Sequence, residues 1–458
     1  MRKETPVKDK RKAERTPSHA VTARAAACRS LVRLEKEGRY SNIELDATLQ
    51  RTAFSPADRG LYTRLVYGVT ERKITLDYII EHLAGRPAAA LDLPLRTVLR
   101  MGLCQLLYFD RIPDTAAVDE SVELAKQFCP AASGLVNAVL RRFCREGKVW
   151  KKPSMEDPDR YLSILYSVPV WLCAKFRADY GFDRAESILA AFLHTPPITL
   201  RVNTLRMTRD ALLNQLREAG YDAEATRYSP YGIKLSTAAV GELAPLKDGS
   251  CFVQDEASQI CVMALGAQPG EEIIDTCACP GGKSFGIAME MENRGRLRSF
   301  DLHENKLSLL RRGAEGLGIS IIEAAARDGR REDPALLESA DRILCDLPCS
   351  GLGVLWKKPE LRYREPDGLE RLPALQLEIL HSSAACLKPG GTMIFSTCTI
   401  SKDENEAVLA AFLASHPDFS PVPFHVGRLD APAGLLTLFP DEHGTDGFFI
   451  AKLQRNPT

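Results

Sequence analysis

The chain has 458 residues, of which 45% are hydrophobic and 26% are charged. This composition is typical of a globular protein with two to four domains. It excludes a membrane-spanning protein, because no apolar run approaches the roughly 20 residues that a transmembrane helix needs. The first 20 residues are rich in Lys and Arg, but no apolar segment follows them as in a secretory signal. We therefore expect a cytoplasmic location and no membrane contact.

Thirteen cysteines do not indicate a disulfide framework in such a chain, because cytoplasmic thiols stay reduced. Most of them are expected to be small buried apolar residues. Cys277 and Cys279 form a C-x-C pair, but no second Cys or His pair stands at the spacing of zinc ligands. We therefore expect no metal site.

The formal net charge of zero conceals a gradient along the chain. Residues 1–150 hold about 26 Lys and Arg against about 18 Asp and Glu, so the remainder is acidic by the same margin. A basic front segment joined to an acidic body is typical of a polyanion-binding module attached to a catalytic one. A solvated helical surface with a frayed tail has the same composition and remains an alternative.

The N-terminal part of the sequence predicts an unstructured arm followed by helices. Residues 1–20 have too little apolar content to fold and are predicted to be a disordered basic arm. Residues 21–148 are predicted to form an all-α domain. Ser55, Pro56 and Asp58 have the spacing of a capping box with proline at the first helical position. Helical spacing also connects the apolar residues Leu61, Leu65, Val66 and Val69, then Val98, Leu99 and Leu103, then Leu135, Val136, Val139 and Leu140.

Residues 149–250 are predicted to hold a helical connector and a small α+β subdomain. Pro196 and Pro197 open the subdomain, with a strand over 198–202, a helix over 209–219 and short strands up to about residue 246.

From residue 251 to 458 the pattern changes to strands that alternate with helices. Strands are predicted over 272–275, 297–301, 341–347 and 392–399, with helical stretches such as 305–316 between them and a last strand over 447–453. This alternation predicts an α/β domain with a parallel sheet and helices on both faces.

A glycine-rich turn follows the first of these strands, in the segment Ile273-Ile-Asp-Thr-Cys-Ala-Cys-Pro-Gly-Gly-Lys-Ser284. It is no nucleotide-binding P-loop, because Cys277 stands where the first glycine of that motif belongs, and no G-x-G-x-x-G is present. Gly281 and Gly282 let backbone N–H groups approach a small ligand at the carboxyl edge of the sheet. Asp301 and Asp328 follow the next strands and suit a ribose and an adenine amino group, although either has the alternative of a turn or helix cap.

Two thiols lie just past later strands, in Cys345-Asp-Leu-Pro-Cys349 and Ser396-Thr-Cys398. Two cysteines at a ligand edge, one close to Asp346, indicate covalent catalysis with a second thiol for proton transfer. Methylation of cytosine at C5 needs such a set: a thiolate that adds to C6, a carboxyl group at N3 and a base that removes the C5 proton. Two buried structural cysteines are the alternative.

The segment 356–364, Trp-Lys-Lys-Pro-Glu-Leu-Arg-Tyr-Arg, interleaves basic and aromatic residues after the Pro-Cys motif. Such a pattern is suited to phosphates and to an unpaired base, which predicts an RNA contact, with a solvated loop as the alternative.

These motifs resemble the NOL/NOP/Sun (NSUN) family of RNA 5-methylcytosine methyltransferases, and most closely its bacterial Sun/Fmu branch, the RsmB type, which modifies 16S ribosomal RNA. The resemblance covers nearly the whole chain. Its motifs are 111–126 and 134–140 for a NusB-like RNA-binding domain, Arg201-Val-Asn-Thr204 for the middle subdomain, and 252–258 and 444–449 for the start and end of the catalytic domain. The resemblance implies a Rossmann-like class I domain that depends on S-adenosylmethionine.

The resemblance also implies roles for individual residues. Cys398 is the expected nucleophile, Cys349 assists proton removal and product release, and Asp346 contacts cytosine N3 and the cofactor edge. Lys283 is expected beside the reacting base. The expected cofactor residues are Cys277, Ala278, Cys279, Pro280, Gly281, Gly282, Lys283, Asp301, Asp328 and Asp346. Cys279 stands in place of an alanine, and Leu347 in place of the alanine of Asp-Ala-Pro-Cys; neither change removes a reacting group.

Other functions have weaker support from the sequence. A transfer-RNA cytosine methyltransferase shares the chemistry, but the NusB-like front domain favours 16S ribosomal RNA as the partner. A non-catalytic RNA-binding scaffold is disfavoured because both cysteines and all three acidic residues are present, and Cys277 excludes a nucleotide hydrolase. We expect a monomer.

Overall fold

The computed structural model describes residues 22–38, 40–236 and 243–457, so the predicted arm at 1–20 lies outside the described residues. The chain divides into two compact units, one ending at Lys151 and the other beginning at Lys152. Over the described ranges, no helix is both long enough and apolar enough to cross a bilayer.

The first unit is all-α, as predicted. Its α-helices are α1 (Ala23–Glu37), α2 (Ser41–Arg51), α3 (Pro56–Glu71), α4 (Lys73–Ala84), α5 (Leu93–Tyr108), α6 (Asp114–Phe128) and α7 (Ser133–Arg145). The predicted cap begins α3: the Ser55 hydroxyl oxygen accepts the Asp58 N–H at 3.1 Å, and the hydroxyl donates to the Asp58 carboxylate at 2.7 Å. Pro56 is the first helical residue, where its missing N–H costs no hydrogen bond.

Helix α5 is the centre of this unit and packs against α1, α3, α4, α6 and α7. It is buried on nearly all sides, which explains why its sequence is apolar around the whole helix. Gly102 lies at the crossing with α7, where a Cβ atom would stand 2.6 Å from a methyl carbon of Leu140. Glycine therefore permits the close approach of the two helices.

A buried arginine connects three helices of this unit. Arg100 is 3% exposed and binds both oxygens of Asp77 and one oxygen of Glu35, each at 2.6 Å. Burial opposes the charge of Glu35, but the Arg100 guanidinium outweighs it and lowers the pKa of that carboxyl group. A buried guanidinium is tolerated only when it is paired in this way.

Replacement of Arg100 by alanine is expected to destabilise the first unit by about 3 kcal/mol, since Asp77 loses its two-point partner and Glu35 loses one of its two arginine partners. Hydrogen exchange of the α5 amides in the full chain measures this loss locally. Lys126→Ala is the control, because its pair with Glu123 is solvent-exposed and contributes less than about 1 kcal/mol. Equal protection of α5 in the two variants would contradict the assignment.

Over its described residues, the second unit contains eleven α-helices, a four-stranded sheet, a large sheet and a two-stranded hairpin. The helices are α8 (Pro158–Tyr166), α9 (Val170–Tyr180), α10 (Phe182–Ala191), α11 (Arg209–Glu218), α12 (Ala244–Lys247), α13 (Glu256–Leu265), α14 (Gly282–Glu290), α15 (Glu304–Leu317), α16 (Leu372–Ala384), α17 (Glu406–Ser415) and α18 (Pro440–His443). The strands are β1 (Ile198–Val202), β2 (Ala223–Ala225), β3 (Gly232–Leu235), β4 (Cys251–Val253), β5 (Glu272–Asp275), β6 (Arg296–Asp301), β7 (Ile322–Ala326), β8 (Ala340–Asp346), β9 (Leu387–Thr397), β10 (Phe419–Pro421), β11 (Phe424–Val426), β12 (Leu429–Ala431), β13 (Leu435–Leu438) and β14 (Phe448–Arg455).

The small sheet has the antiparallel order β2-β3-β1-β4. Strand β4 pairs with β1, with Val253 opposite Leu200. The domain boundary predicted at residue 250 therefore separates β4 from the other strands of its own sheet. Two of the predicted signature residues, Arg201 and Asn203, join this sheet to helices that pack on the large sheet. Arg201 binds Glu290 of α14 at 3.1 Å, and the Asn203 amide donates to the carbonyls of Gly249 and Leu317 at 2.9 Å each.

The large sheet has the order β10-β14-β9-β8-β5-β6-β7, and β13 also pairs with β14. The pairs among β5 to β9 are parallel, but β14 is antiparallel to β9. The predicted parallel sheet is confirmed for β5 to β9, whereas the predicted last strand is antiparallel. After α17 the chain forms the β11-β12 hairpin, and β14 then enters the sheet from the end at which the parallel strands finish.

Helices cover both faces of this sheet, as predicted. Ile273 and Leu344 pack with α13, α14 and α15 on one face, whereas Ile274 and Ile343 pack with α16 and α17 on the other. Strands buried on both faces are apolar without alternation, as β14 shows over its first four residues.

Candidate active site

The carboxyl ends of the parallel strands bring the predicted motifs to one edge of the large sheet. The glycine-rich turn follows β5, Asp301 ends β6, Asp328 follows β7, Asp346 ends β8 and Cys398 follows β9. Ligands of doubly wound sheets bind at this edge.

The turn after β5 is held by both neighbouring strands. The Thr276 N–H donates to the Leu344 carbonyl at 3.0 Å, and the Ala278 N–H donates to the Phe300 carbonyl at 2.7 Å. A cis peptide bond joins Cys279 to Pro280. Gly281 then adopts φ +117°, where a Cβ atom would stand 2.4 Å from the Phe285 ring, so glycine is required.

Helix α14 begins directly after Gly281, and no side chain caps its N-terminus. The first N–H groups of the helix and its dipole are therefore directed at this edge of the sheet, a setting suited to a carboxylate. Behind them, Asp275 accepts the Ser284 hydroxyl at 2.6 Å, and burial raises the pKa of Asp275 to about 7.

The two other predicted cofactor carboxylates differ in their surroundings. Asp301 is mostly buried and accepts the His303 N–H at 3.0 Å. Cys279 is its neighbour. Burial, and then the Asp301 charge, raise the pKa of the Cys279 thiol to about 11. Asp328 instead forms a two-point ion pair with the Arg330 guanidinium, at 2.7 and 2.9 Å, and these hydrogen bonds lower its pKa to about 2. Asp328 must release Arg330 before it can bind a ligand through both oxygens.

Lys283, Asp346 and Ser396 form one polar network. The Lys283 ammonium lies 2.6 Å from one Asp346 oxygen, and the Ser396 hydroxyl donates to the other at 2.9 Å. Lys283 also lies 5.0 Å from the centre of the Phe448 ring. Burial opposes the charge of Lys283, but the Asp346 carboxylate raises its pKa above the ordinary value, so the ammonium form persists.

The two predicted catalytic cysteines are in contact, with their Sγ atoms 3.3 Å apart. The hydrogen bond with Cys349 lowers the pKa of Cys398, although burial and the Asp346 charge oppose ionisation; the charges of Lys283 and Lys358 favour it. The same hydrogen bond raises the pKa of Cys349. The pair is therefore asymmetric, because Cys398 ionises more readily than Cys349.

Glu404, which sequence reasoning missed, fixes the two cysteine loops relative to each other. Its carboxylate accepts the Ser350 N–H at 2.8 Å, the Ser350 hydroxyl at 2.5 Å and the Gln376 amide at 3.2 Å. Ser350 also bonds Thr399 at 2.9 Å, so the carboxylate supports both loops. An acidic residue six positions after Cys398 carries no sequence signal that separates it from a surface residue.

Backbone hydrogen bonds also join the two cysteine loops to each other and to the segment before β14. The Gly353 N–H donates to the Cys398 carbonyl at 3.0 Å, and the Gly447 N–H donates to the Gly353 carbonyl at 2.8 Å. A Cβ atom on Gly353 would stand 1.9 Å from the Gly447 carbonyl oxygen, so this approach requires glycine.

Most side chains of the segment 356–364, the predicted RNA contact, bind other segments of the protein instead. Trp356 is buried and donates to Asp446 at 2.6 Å, and Lys357 pairs with both Asp255 and Asp446. Arg362 is fully buried and binds the carbonyls of Leu355, Tyr166 and Phe192. The prediction is therefore wrong for these residues, and of the basic ones in the segment only Lys358 and Arg364 are solvent-exposed.

These contacts explain the two signatures that bound the catalytic domain. Asp255 lies in the first signature and Asp446 in the second, and Lys357 joins them. Burial and the neighbouring Asp255 charge raise the pKa of Asp446 to about 6.

The structure thus brings Cys398, Cys349, Asp346 and Lys283 into one cluster, with the loop 277–282 and Asp301 along the same edge. Within the described residues, no three His, Cys, Asp or Glu side chains are arranged to hold a metal ion. A doubly wound sheet with this turn and these strand-end acids defines the class of methyltransferases that use S-adenosylmethionine.

Three family models match the chain in order: the NusB family over residues 21–145, the ferredoxin-like domain of RsmF/B-like methyltransferases over 168–240, and 16S rRNA methyltransferase RsmB/F over 262–454. The probable ribosomal RNA small subunit methyltransferase B of Bacillus subtilis (strain 168) is 38% identical over 443 residues, which are 95% of this chain and 99% of that protein. The chain belongs to the RsmB/F family of 16S rRNA methyltransferases, as the sequence resemblance predicted.

Solved structures agree on the fold. A methyltransferase homologue from Pyrococcus horikoshii is 28% identical with a TM-score of 0.58, covering 66% of this chain and all of that one. NSun6 from Pyrococcus horikoshii, solved with the S-adenosylmethionine analogue SFG, has 21% identity and a TM-score of 0.58, covering 64% of this chain and all of that one. The protein is an RNA methyltransferase whose methyl donor is S-adenosylmethionine.

Loss of the Cys349 hydrogen bond is expected to raise the pKa of Cys398. Iodoacetamide reacts with thiolates, so alkylation of Cys398 should begin at higher pH in Cys349→Ala than in the unchanged enzyme. Mass spectrometry across a pH series measures the extent at Cys398 separately from Cys386, which lies on the same tryptic peptide.

Lys358→Gln is the matched variant, because it removes a weaker contribution to the same pKa and should shift the profile less. An unchanged profile in Cys349→Ala would show that the sulfur–sulfur hydrogen bond does not set the ionisation of Cys398.

Proposed function

We propose that this enzyme methylates C5 of a specific cytosine in 16S ribosomal RNA through a covalent bond between Cys398 and C6 of the base. The observation that carries the proposal is the thiol pair, 3.3 Å between sulfurs, adjoining the Lys283–Asp346 ion pair at the ligand edge of the sheet. Two buried structural cysteines would not need an ammonium and a carboxylate in the same cluster.

The first step is addition of the Cys398 thiolate to C6, which turns C5 into a nucleophilic carbon. Asp346 is the carboxyl group for the N3 edge of the base. The Lys283 ammonium, 2.6 Å from Asp346, is the adjacent proton source that assists the addition. The lowered pKa of Cys398 favours the thiolate that this addition needs.

S-adenosylmethionine supplies a methyl group on a positively charged sulfonium. After methylation C5 still carries its proton, and Cys349 lies next to the adduct position. Cys349 assists transfer of the C5 proton to solvent and stabilises the departing Cys398 sulfur by a hydrogen bond. The C5–H electron pair becomes the C5–C6 double bond, the C6–S bond breaks, and Cys398 leaves as a thiolate.

The residues of the edge fit this cofactor. The uncapped N-terminus of α14 after Gly281 suits its carboxylate, and Asp301 at the end of β6 suits the ribose hydroxyls. We assign the binding role to Cys277, Ala278, Cys279, Pro280, Gly281, Gly282, Lys283, Asp301, Asp328 and Asp346. Asp328 contributes once it releases Arg330.

We assign RNA binding to the basic NusB-like domain, residues 21–148, and to the subdomain within 149–250. Every proposed catalytic residue lies in the second unit, so one chain holds the complete site and a monomer suffices. The relatives are named for small-subunit ribosomal RNA, which favours 16S RNA over transfer RNA.

Cys398→Ala is expected to lower methyl transfer by more than about a thousandfold, because no adduct can form. Binding of 16S RNA should be unchanged. Transfer of a radiolabelled methyl group to RNA from cells lacking the enzyme measures the first quantity, and filter binding measures the second.

Cys386→Ala is the control for this experiment, since Cys386 is a buried cysteine that precedes β9. Normal turnover by Cys398→Ala would refute the covalent mechanism.

Cys349→Ala is expected to accumulate the protein–RNA adduct, because addition remains possible while release is impaired. A shifted band that survives denaturation measures the adduct. The double variant Cys349→Ala/Cys398→Ala should lose the band; a band that persists there would place the adduct on another residue, and no band in either variant would remove the release role from Cys349.

A further inference from the structure

We propose that Cys349 and Cys398 are also a redox modification site, in which hydrogen peroxide converts the two thiols into a reversible disulfide that blocks the enzyme. The cross-link itself needs only the geometry described above, whereas its effect on turnover rests on the proposed function.

The distance between the sulfurs is the first support. At 3.3 Å they are separated by about 1.3 Å more than a disulfide bond, which is about 2.05 Å long. The Gly353 N–H already bonds the Cys398 carbonyl at 3.0 Å, so a backbone hydrogen bond holds the two loops together. Among the described residues, this is the one pair of cysteine sulfurs within hydrogen-bonding distance.

The second support is selectivity among thiols. All thirteen cysteines are free. Cys345 and Cys386 flank the pair in sequence, but both are buried and burial raises the pKa of each. Cys349 and Cys398 are partly exposed, and Cys398 is the thiol with the lowered pKa. Oxidants attack thiolates that solvent can reach, so Cys398 reacts first.

The reaction balances with one peroxide. The Cys398 thiolate attacks one peroxide oxygen, the O–O bond breaks, and Cys398 becomes a sulfenic acid while hydroxide leaves. The Cys349 sulfur then attacks the Cys398 sulfur, the S–O bond breaks and water leaves with the Cys349 proton. Two electrons pass from the sulfurs to peroxide, and a dithiol reductant reverses the change.

The adjacent thiol also has a protective effect. A sulfenic acid without a partner is oxidised further to an irreversible sulfinic acid. Capture by Cys349 competes with that second oxidation, so the enzyme returns to activity when a thiol reductant is restored.

The test treats the full-length enzyme with a slight molar excess of hydrogen peroxide and then maps its peptides without reduction. We expect one cross-link between Cys349 and Cys398, with the loss of two hydrogens, and recovery of the thiols by dithiothreitol. Tandem fragmentation is needed, because Cys345 shares a tryptic peptide with Cys349 and Cys386 shares one with Cys398.

Two variants make the result specific. Cys349→Ser should give no cross-link and should accumulate sulfinic acid at Cys398, whereas Cys129→Ser, a partly exposed cysteine of the first unit, should behave like the unchanged enzyme. Sulfinic acid at Cys398 in the unchanged enzyme, or a cross-link to another cysteine, would overturn the proposal.

Methyl-transfer activity is read in parallel and separates the two proposals. Loss of activity with the cross-link and its return with dithiothreitol are expected. A cross-linked enzyme that still methylates RNA at the full rate would refute the catalytic role of Cys398 and leave the modification site in place.

Discussion

The parallel pairing of β8 with β9 is the constraint on which the active site depends. Asp346 lies opposite Ser396 in this pairing, so both strands end at the same level of the sheet. Each strand then continues into a loop that carries a cysteine within three residues. The 3.3 Å between the sulfurs therefore follows from the register of two strands, which Glu404 and the Gly353–Gly447 contact fix more tightly. A shift of one residue in that register would turn one set of side chains to the opposite face.

The cluster held by this register combines an ion pair with a pair of thiols whose pKa values are shifted in opposite directions. An ammonium and a carboxylate adjoin two thiols, and the hydrogen bond between the sulfurs makes one a better nucleophile at the other's expense. In the proposed mechanism, the same asymmetry favours addition by an ionised Cys398 and release assisted by Cys349. A single thiol in this position would have to perform both tasks with one pKa.

Much of this was predictable because the relevant signals are local. Strand–helix alternation, the Ser55 cap and the Pro-Cys and Thr-Cys motifs each depend on a few neighbouring residues. The errors concern contacts between distant parts of the chain. Trp356 and Lys357 have the composition of an RNA-binding loop, but their partners Asp255 and Asp446 stand about 100 positions before and 90 after. The direction of β14 and the role of Glu404 likewise depend on tertiary pairing, which periodicity does not report.

The antiparallel return of β14 has a consequence for how the protein matures. This strand pairs with β9, the strand that leads to Cys398. Asp446 and Gly447, just before it, secure the loop that carries the second thiol. Before β14 joins the sheet, the loop after β8 lacks these partners. The position of Cys349 therefore depends on residues about 100 positions further along the chain, and it is fixed only once that edge of the sheet has formed.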